Sequence, residues 1–156
     1  MTWCLEGGST VNLYQYSIDT LIIGENISGN LCGGALDYSQ KDSLQTVIIK
    51  DRGQNVDLKI ADNGFSRYTA LRKITLGNGI SSIGESAFYQ CSSLETIEIP
   101  DSVETYGGMA FSGCTSLSKA VLSKNAKVIS SQMFENCKNL TEIVIPDGVT
   151  ELEMQL

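Results

Sequence analysis

Three cysteines recur at one fixed spacing, and each follows a phenylalanine by three positions. The pairs are Phe88/Cys91, Phe111/Cys114 and Phe134/Cys137. Thiolates are ligands for metal ions, so these cysteines could form a metal or redox cluster. Metal sites usually gather ligands at short spacings such as C-x-x-C, however, and that motif is absent from the sequence. The long, constant interval between the pairs instead favours free, buried thiols in a repeated architecture.

Other residues that could perform catalysis are scarce. The chain has no histidine, which removes the commonest general base and the usual partner of a Cys or Ser nucleophile. Glu95 and Glu98 are three positions apart on a predicted strand, so they face opposite sides and make a poor acid and base pair. We therefore predict a protein that is not an enzyme, with no cofactor and no metal, and a hydrolase acting through carboxylates is the weakest alternative.

The cysteine count also limits the disulfide chemistry. Five cysteines cannot all pair within one chain, which argues against a complete disulfide framework. Cys4 and Cys32 lie outside the regular series, and either a disulfide between them or two unrelated buried thiols is compatible with the sequence.

Charge and hydropathy exclude two kinds of partner. The 11 basic and 18 acidic residues give a net charge of -7, and no run of Lys or Arg stands out. Nucleic acid and anionic membrane surfaces are therefore not expected as partners. Apolar stretches such as Leu21–Ile23 are too short to cross a bilayer, so we predict no membrane insertion. The start, Met1–Gly8, lacks the order of a secretory signal, so the protein is either cytoplasmic or has lost its leader.

The elements that position these residues follow from an internal repeat. When the sequence is shifted against itself by the interval from Cys91 to Cys114, similar side chains fall into columns. The strand columns are Leu71/Leu94/Leu117/Leu140, Ile74/Ile97/Ala120/Ile143 and Leu76/Ile99/Leu122/Ile145, and the aromatic column is Phe65/Phe88/Phe111/Phe134.

The clearest copy of the unit predicts one strand and a return path. Ile97 and Ile99 alternate with Thr96 and Glu98, which is strand periodicity, and Pro100 ends the strand. The following stretch, 107–111, is too short for a free-standing helix and predicts a single helical or 3₁₀ turn. Such a unit cannot bury its apolar side alone, whereas a stack of units with parallel strands about 4.8 Å apart can.

We therefore predict a single domain over residues 1–156. Residues 1–43 form degenerate N-terminal repeats that serve as a cap, and 44–70 form an irregular repeat with about four extra residues near 50–58. Residues 71–156 form regular repeats, of which the last is incomplete. This end is expected to be either a truncation of a longer array or a surface that packs on another chain.

The unit resembles the BspA-like leucine-rich repeat, a 23-residue variety whose copies read much like "LETIEIPDSVETYGGMAFSGCTS" and "LTEIVIPDGVTEL". Tyr68 in the cysteine column, Ala120 in a strand column and Ser123 in the proline column are departures from the pattern. The resemblance implies an α/β fold, a right-handed leucine-rich repeat solenoid with a parallel β-sheet on one face and short helical or 3₁₀ turns and loops on the other.

The resemblance also implies a location and a role. Members of this family are mostly secreted or cell-surface proteins of bacteria, associated with adhesion and with binding host or matrix macromolecules, and they offer no catalytic residues to carry over. For this chain we therefore expect a protein-binding or adhesion module. The alternative is an assembly or spacer module that self-associates through its C-terminal repeat edge.

Outward positions of the predicted strands are the expected binding residues, because parallel strands hold them in a regular, rigid array. They are Ile48, Lys73, Thr75, Thr96, Glu98, Lys119, Val121, Glu142 and Val144. Exposed β-branched residues are also simply good strand formers, so this surface has a purely structural interpretation as well.

Overall fold

The chain forms a parallel β-solenoid of about five turns in a computed structural model. The structure describes residues 2–5, 18–26, 29–31, 40–51, 57–130 and 132–153. The main sheet has seven parallel strands. In spatial order its strands are β1 (Thr2–Leu5), β2 (Thr20–Ile23), β4 (Thr46–Ile49), β6 (Lys73–Leu76), β8 (Thr96–Glu98), β10 (Lys119–Val121) and β12 (Glu142–Val144).

The register of the main sheet reproduces the sequence columns. Lys119 pairs with Thr96 on one side and with Glu142 on the other, which are its equivalents in the neighbouring repeats. Thr46 pairs with Lys73, and the chain between these two residues is longer than the regular unit. Residues 52–56, in the predicted insertion, lie outside the described residues, as does Cys32 and with it the predicted Cys4–Cys32 alternatives.

A second parallel sheet forms the return side, which the sequence analysis did not predict. It contains β3 (Gly29–Leu31), β5 (Leu58–Ile60), β7 (Ile80–Ile83) and β9 (Thr105–Tyr106), and the next coils add the pair β11 (Val128–Ser130) and β13 (Glu151–Glu153). Ile80 and Ile83 of β7 are buried and the two serines between them are partly exposed, so this strand packs its apolar ends on the core.

The segment predicted as a helical turn is a series of tight turns, and no helix occurs in residues 57–130. The amide of Tyr89 bonds to the carbonyl of Ser86 at 3.1 Å, and that of Cys91 to the carbonyl of Phe88 at 3.2 Å. Ser86 and Gln90 have φ values of 52° and 56°, in the left-handed region. Residues in this region interrupt a right-handed helix at each step, which explains why none forms.

The core is a set of ladders along the solenoid axis. Phe65, Phe88, Phe111 and Phe134 stack in sequence, with ring centroids 5.2–5.6 Å apart. The strand columns lie beside them, and the residues of the interior coils are almost fully buried. Burial of each such side chain contributes roughly 1.5–3 kcal/mol.

Candidate binding surface on the strand face

All nine predicted binding residues lie on strands of the main sheet and point away from the core. In β6 the burial alternates, with Lys73 and Thr75 exposed and Ile74 and Leu76 buried. The same alternation places Thr96 and Glu98 of β8, and Lys119 of β10, in solvent. Ile48 and Val121 are half-buried, and Glu142 and Val144 are exposed.

The sheet register aligns these residues in two rows across the coils. The first row is Ile48, Thr75, Glu98, Val121 and Val144. In this row Ile48 pairs with Thr75, and Val121 pairs with Glu98 and with Val144. The second row is Thr46, Lys73, Thr96, Lys119 and Glu142. We define these two rows, from Ile48 to Val144, as the strand face.

Most charged side chains on and beside the strand face are paired between neighbouring coils. Lys119 contacts Glu142 at 2.7 Å, Lys124 contacts Asp101 at 3.2 Å, and Arg72 contacts Glu95 at 3.9 Å. All these side chains are substantially exposed, so each pair contributes at most about 1 kcal/mol to stability. The backbone N–H of Lys124, together with its side chain, lowers the pKa of Asp101.

A groove of about 510 Å³ crosses the strand face over β6, β8 and β10. Five of the nine predicted residues line it, namely Lys73, Thr75, Thr96, Glu98 and Val121, whereas Ile48, Lys119, Glu142 and Val144 are not part of its lining. Sequence reasoning missed Asn78, Asp101 and Lys124, which line the groove from the turns after the strands. Their shared repeat position, directly after the strand terminator, is the signal that could have identified them.

The C-terminal coil exposes a second surface. Ile143, Ile145 and Leu152 are 41%, 48% and 55% exposed, whereas Ile97 and Ile99, which occupy the same columns as the two isoleucines in an interior coil, are 1% and 3% exposed. A groove of about 320 Å³ opens here, lined by the apolar side chains of Ile129, Phe134, Ile143 and Leu152 together with Ser130, Glu135 and Glu153.

The recurring cysteines are structural. Each thiol donates to the carbonyl of a phenylalanine in the preceding coil, with sulfur to oxygen distances of 3.1 Å (Cys91 to Phe65), 3.2 Å (Cys114 to Phe88) and 3.1 Å (Cys137 to Phe111). All three are free. Burial raises the pKa of Cys91 to about 12, so at neutral pH it is a protonated thiol and not a nucleophile. Within the described residues, no group of three or more Cys, Asp or Glu side chains could hold a metal ion.

Comparison with known proteins agrees with this architecture. Residues 37–156 match the BspA type leucine-rich repeat region as six copies. The chain belongs to the BspA-type leucine-rich repeat family. A search of curated proteins finds no significant match.

Two solved structures are similar to this solenoid. A leucine-rich repeat protein of T. pallidum is 25% identical with a TM-score of 0.66, and the match covers 86% of this chain and 73% of that protein. A leucine-rich cell surface protein of Faecalibacterium prausnitzii is 25% identical with a TM-score of 0.72, and the match covers 90% of this chain. The chain spans 34% of that protein's length.

Membership of this family defines the general character of the chain. BspA-type leucine-rich repeats are typically non-enzymatic, and leucine-rich repeat proteins generally mediate protein interactions. Across the described ranges, we find no helix with the length and apolar character needed to cross a bilayer.

Proposed function

We propose that this chain is a non-enzymatic binding module of a secreted or cell-surface bacterial protein, and that it recognises a host or matrix protein through the strand face. The observation that carries the proposal is the groove over β6, β8 and β10, which five of the nine outward strand residues line. Neighbouring strands hold these side chains in fixed register, and the ladder of buried side chains beneath them keeps the surface rigid.

Rigidity supports binding because the side chains are already ordered before the partner arrives. A surface held by parallel strands loses little conformational freedom on association, so more of the contact energy becomes affinity. The mixed composition of the face, with charges of both signs beside Thr75 and Val121, suits a protein partner better than a uniformly charged polymer.

The proposed location is supported by one of the similar structures and by the family. One of the two similar structures is a cell surface protein, and the family consists largely of bacterial surface proteins. Labelling of intact source cells with an antibody against residues 57–153 tests this part of the proposal. Signal from intact cells is expected, and signal only after lysis would contradict it.

A panel of immobilised, purified host matrix proteins tests recognition through the strand face. The test variant carries Thr75→Lys, Glu98→Lys and Val121→Lys. The matched control carries Thr105→Lys, Glu104→Lys and Val128→Lys, which makes the same three changes on exposed residues on the return side, in or directly before strands β9 and β11. Both variants change the net charge equally, so unspecific electrostatic effects are the same in each.

We expect binding to at least one matrix protein to be lost in the strand-face variant and retained in the control. Circular dichroism and thermal unfolding of both variants verify that the fold is intact. Binding that survives the strand-face changes, or that is lost only in the control, would contradict the proposal. Absence of binding by the wild type across the panel would contradict a role in adhesion.

A second candidate function is an assembly or spacer module that associates through the C-terminal coil. It is favoured by the exposed apolar surface of Ile143, Ile145 and Leu152, which continues the interface that joins every pair of coils within the chain. Buried in that manner, each of these side chains would contribute roughly 1.5–3 kcal/mol to association.

Analytical ultracentrifugation over a range of concentrations separates the two functions. Association that disappears in Leu152→Glu but persists in Val128→Glu, an exposed apolar residue of the return sheet, would support assembly. A wild type that remains monomeric at high concentration would contradict assembly and leave recognition through the strand face as the function.

A further inference from the structure

Pairing within the main sheet is shortest between β6 and β8. β4 and β6 pair through four successive residues, and β8 and β10 pair through three, whereas β6 and β8 pair only through Lys73 and Thr96. The groove of the strand face lies over this junction, with Thr75 and Leu76 on one side and Glu98, Ile99 and Pro100 on the other.

Gly77 brings the chain after β6 close to the preceding coil. A Cβ atom at this position would lie 2.4 Å from the backbone carbon of Lys50, so the chain approaches that coil more closely than any other residue type allows. The same repeat position is occupied by Pro100, Ser123 and Pro146 in later coils, all of which carry side chains. The end of β6 is therefore held close to the coil of β4.

Buried apolar side chains lie beneath this junction. Leu76 is 8% exposed, and Ile49 and Ile99 in the same column are 1% and 3% exposed. These side chains belong to the core ladder, so they hold the strands that carry the groove residues in place. The aliphatic side chain that the groove offers to a partner is Val121, which is half-buried on the strand face.

Two charges on the walls of this groove differ from the others on the strand face. Arg72, Lys119 and Lys124 each form an ion pair with a carboxylate of the next or preceding coil. Among the described residues, Lys73 and Glu98 form no ion pair. They lie on opposite walls, one on β6 and one on β8, so the groove presents one cation and one anion to a partner.

We propose that this groove binds a segment of a partner protein that carries a basic side chain, an aliphatic side chain and an acidic side chain. Glu98 accepts the basic group, Lys73 binds the acidic group, and the aliphatic side chain contacts Val121, which lies beside Glu98. The inference rests on the proposed function, and it adds the chemical class of the partner and the residues that select it.

Other ligand classes fit the groove less well. Its described lining contains no aromatic residue on which a sugar ring or a base could stack, and it combines the acidic residues Glu98 and Asp101 with Lys73 and Lys124, which disfavours a polyanion. Charge complementarity with two opposite groups in fixed positions mainly provides selectivity, because a partner with either charge reversed meets a like charge.

A random peptide library displayed on phage tests the inference, with selection on the wild-type chain. The selection includes a depletion step on the double variant Lys73→Gln, Glu98→Gln. We expect the enriched peptides to contain a basic, an acidic and an aliphatic residue. Synthetic copies of these peptides are then titrated against each single variant by fluorescence anisotropy.

Affinity of the selected peptides should fall about tenfold or more in Lys73→Gln and in Glu98→Gln, which corresponds to about 1.4 kcal/mol. It should change less than about twofold in Lys127→Gln and Glu104→Gln, a cation and an anion directly before the return strands β11 and β9 that serve as matched controls. Replacement of the basic residue of the peptide by an acidic one should restore binding to Glu98→Lys.

Three results would overturn the inference. They are failure to enrich any peptide, enrichment of peptides that lack either charge, and equal affinity for the wild type and both glutamine variants. These results leave the proposed function separately testable, because the lysine variant of Thr75, Glu98 and Val121 probes binding of matrix proteins to the groove whatever charges the partner carries. Loss of matrix binding in that variant, together with a failed peptide selection, would keep recognition at this groove and overturn only the partner class inferred here.

Discussion

Phe88 and Phe111 stack with ring centroids 5.2 Å apart and ring planes within 5° of parallel. Both rings are fully buried, and each also contacts a further ring of the same ladder at 5.4 Å or 5.6 Å. The repeat thus converts one residue per coil into a continuous aromatic column that connects neighbouring coils.

Removal of one ring from this column should lower the free energy of unfolding more inside the solenoid than at its end. Phe88→Ala removes a ring between two others, and we expect the free energy of unfolding to fall by about 3–5 kcal/mol. Phe134→Ala removes a half-buried ring with one stacked neighbour and should cost less than half as much. Urea unfolding followed by circular dichroism measures both, and equal losses would contradict the ladder.

Two adjacent glycines should respond differently to the same substitution. A Cβ at Gly107 would lie 2.2 Å from the backbone nitrogen of Glu85, whereas the nearest atom to a Cβ at Gly108 is the Ser130 hydroxyl at 4.0 Å. Gly107→Ala must therefore shift a coil and should lower the unfolding free energy by about 2 kcal/mol or more. Gly108→Ala should be neutral within about 0.5 kcal/mol. Thermal and urea unfolding of the two variants check the contrast, and similar stabilities would contradict the close approach of the coils.

Restoring the repeat consensus at Ser123 should destabilise the protein. The position holds proline in the coils on either side, Pro100 and Pro146. The amide of Ser123 donates to the hydroxyl of Tyr106 at 2.9 Å, and its own hydroxyl donates to the carbonyl of Val103. Ser123→Pro removes both donors inside the protein, which should cost about 1–3 kcal/mol. An increase in the melting temperature of this variant would contradict the role of the two hydrogen bonds.

The buried thiols should make stability depend on alkaline pH. Burial raises the pKa of Cys91 to about 12, above the value near 8.5 of a thiol in the unfolded chain. The folded state then retains the proton while the unfolded state loses it, so this contribution is complete below about pH 8.5 and is lost as the pH rises toward 12. Between pH 8.5 and 10 the loss of this contribution should lower the unfolding free energy by about 2 kcal/mol.

Cys91→Ala provides the control for this titration. The variant is less stable at neutral pH because it leaves a small cavity, but its unfolding free energy should decrease less steeply between pH 8.5 and 10 than that of the wild type. The cavity does not titrate, so it leaves the slope of the unfolding free energy against pH unchanged. Identical slopes would show that the thiol is not buried as described.

The repeat made most of the fold predictable. The columns of Leu94, Ile97 and Phe111 fixed the strand position, the inward face and the parallel pairing, because a constant repeat period leaves one way to stack equivalent coils. The second sheet was not predicted, since a strand as short as Thr105–Tyr106 has no periodicity to recognise. The turns after it resemble a helical segment in sequence, because left-handed residues such as Gln90 are not glycine.

Only part of the candidate site could be predicted, because some of its features arise from contacts between coils. Outward residues such as Thr75 and Glu98 follow from strand alternation, and the structure places both on the groove. The short pairing between β6 and β8 and the close approach of Gly77 to Lys50 involve residues of different coils, whose contacts no local pattern encodes. The contribution of Asp101 and Lys124 likewise arises from their position on adjacent coils.

Hydrogen–deuterium exchange with a bound partner tests the central claim most directly, because it maps the contact without any substitution. With a matrix protein or selected peptide bound, we predict slower amide exchange in residues 73–78, 96–101 and 119–124, and unchanged exchange in residues 105–106 and 128–130 of the return sheet. Protection confined to the return sheet or to the C-terminal coil would contradict recognition through the strand face.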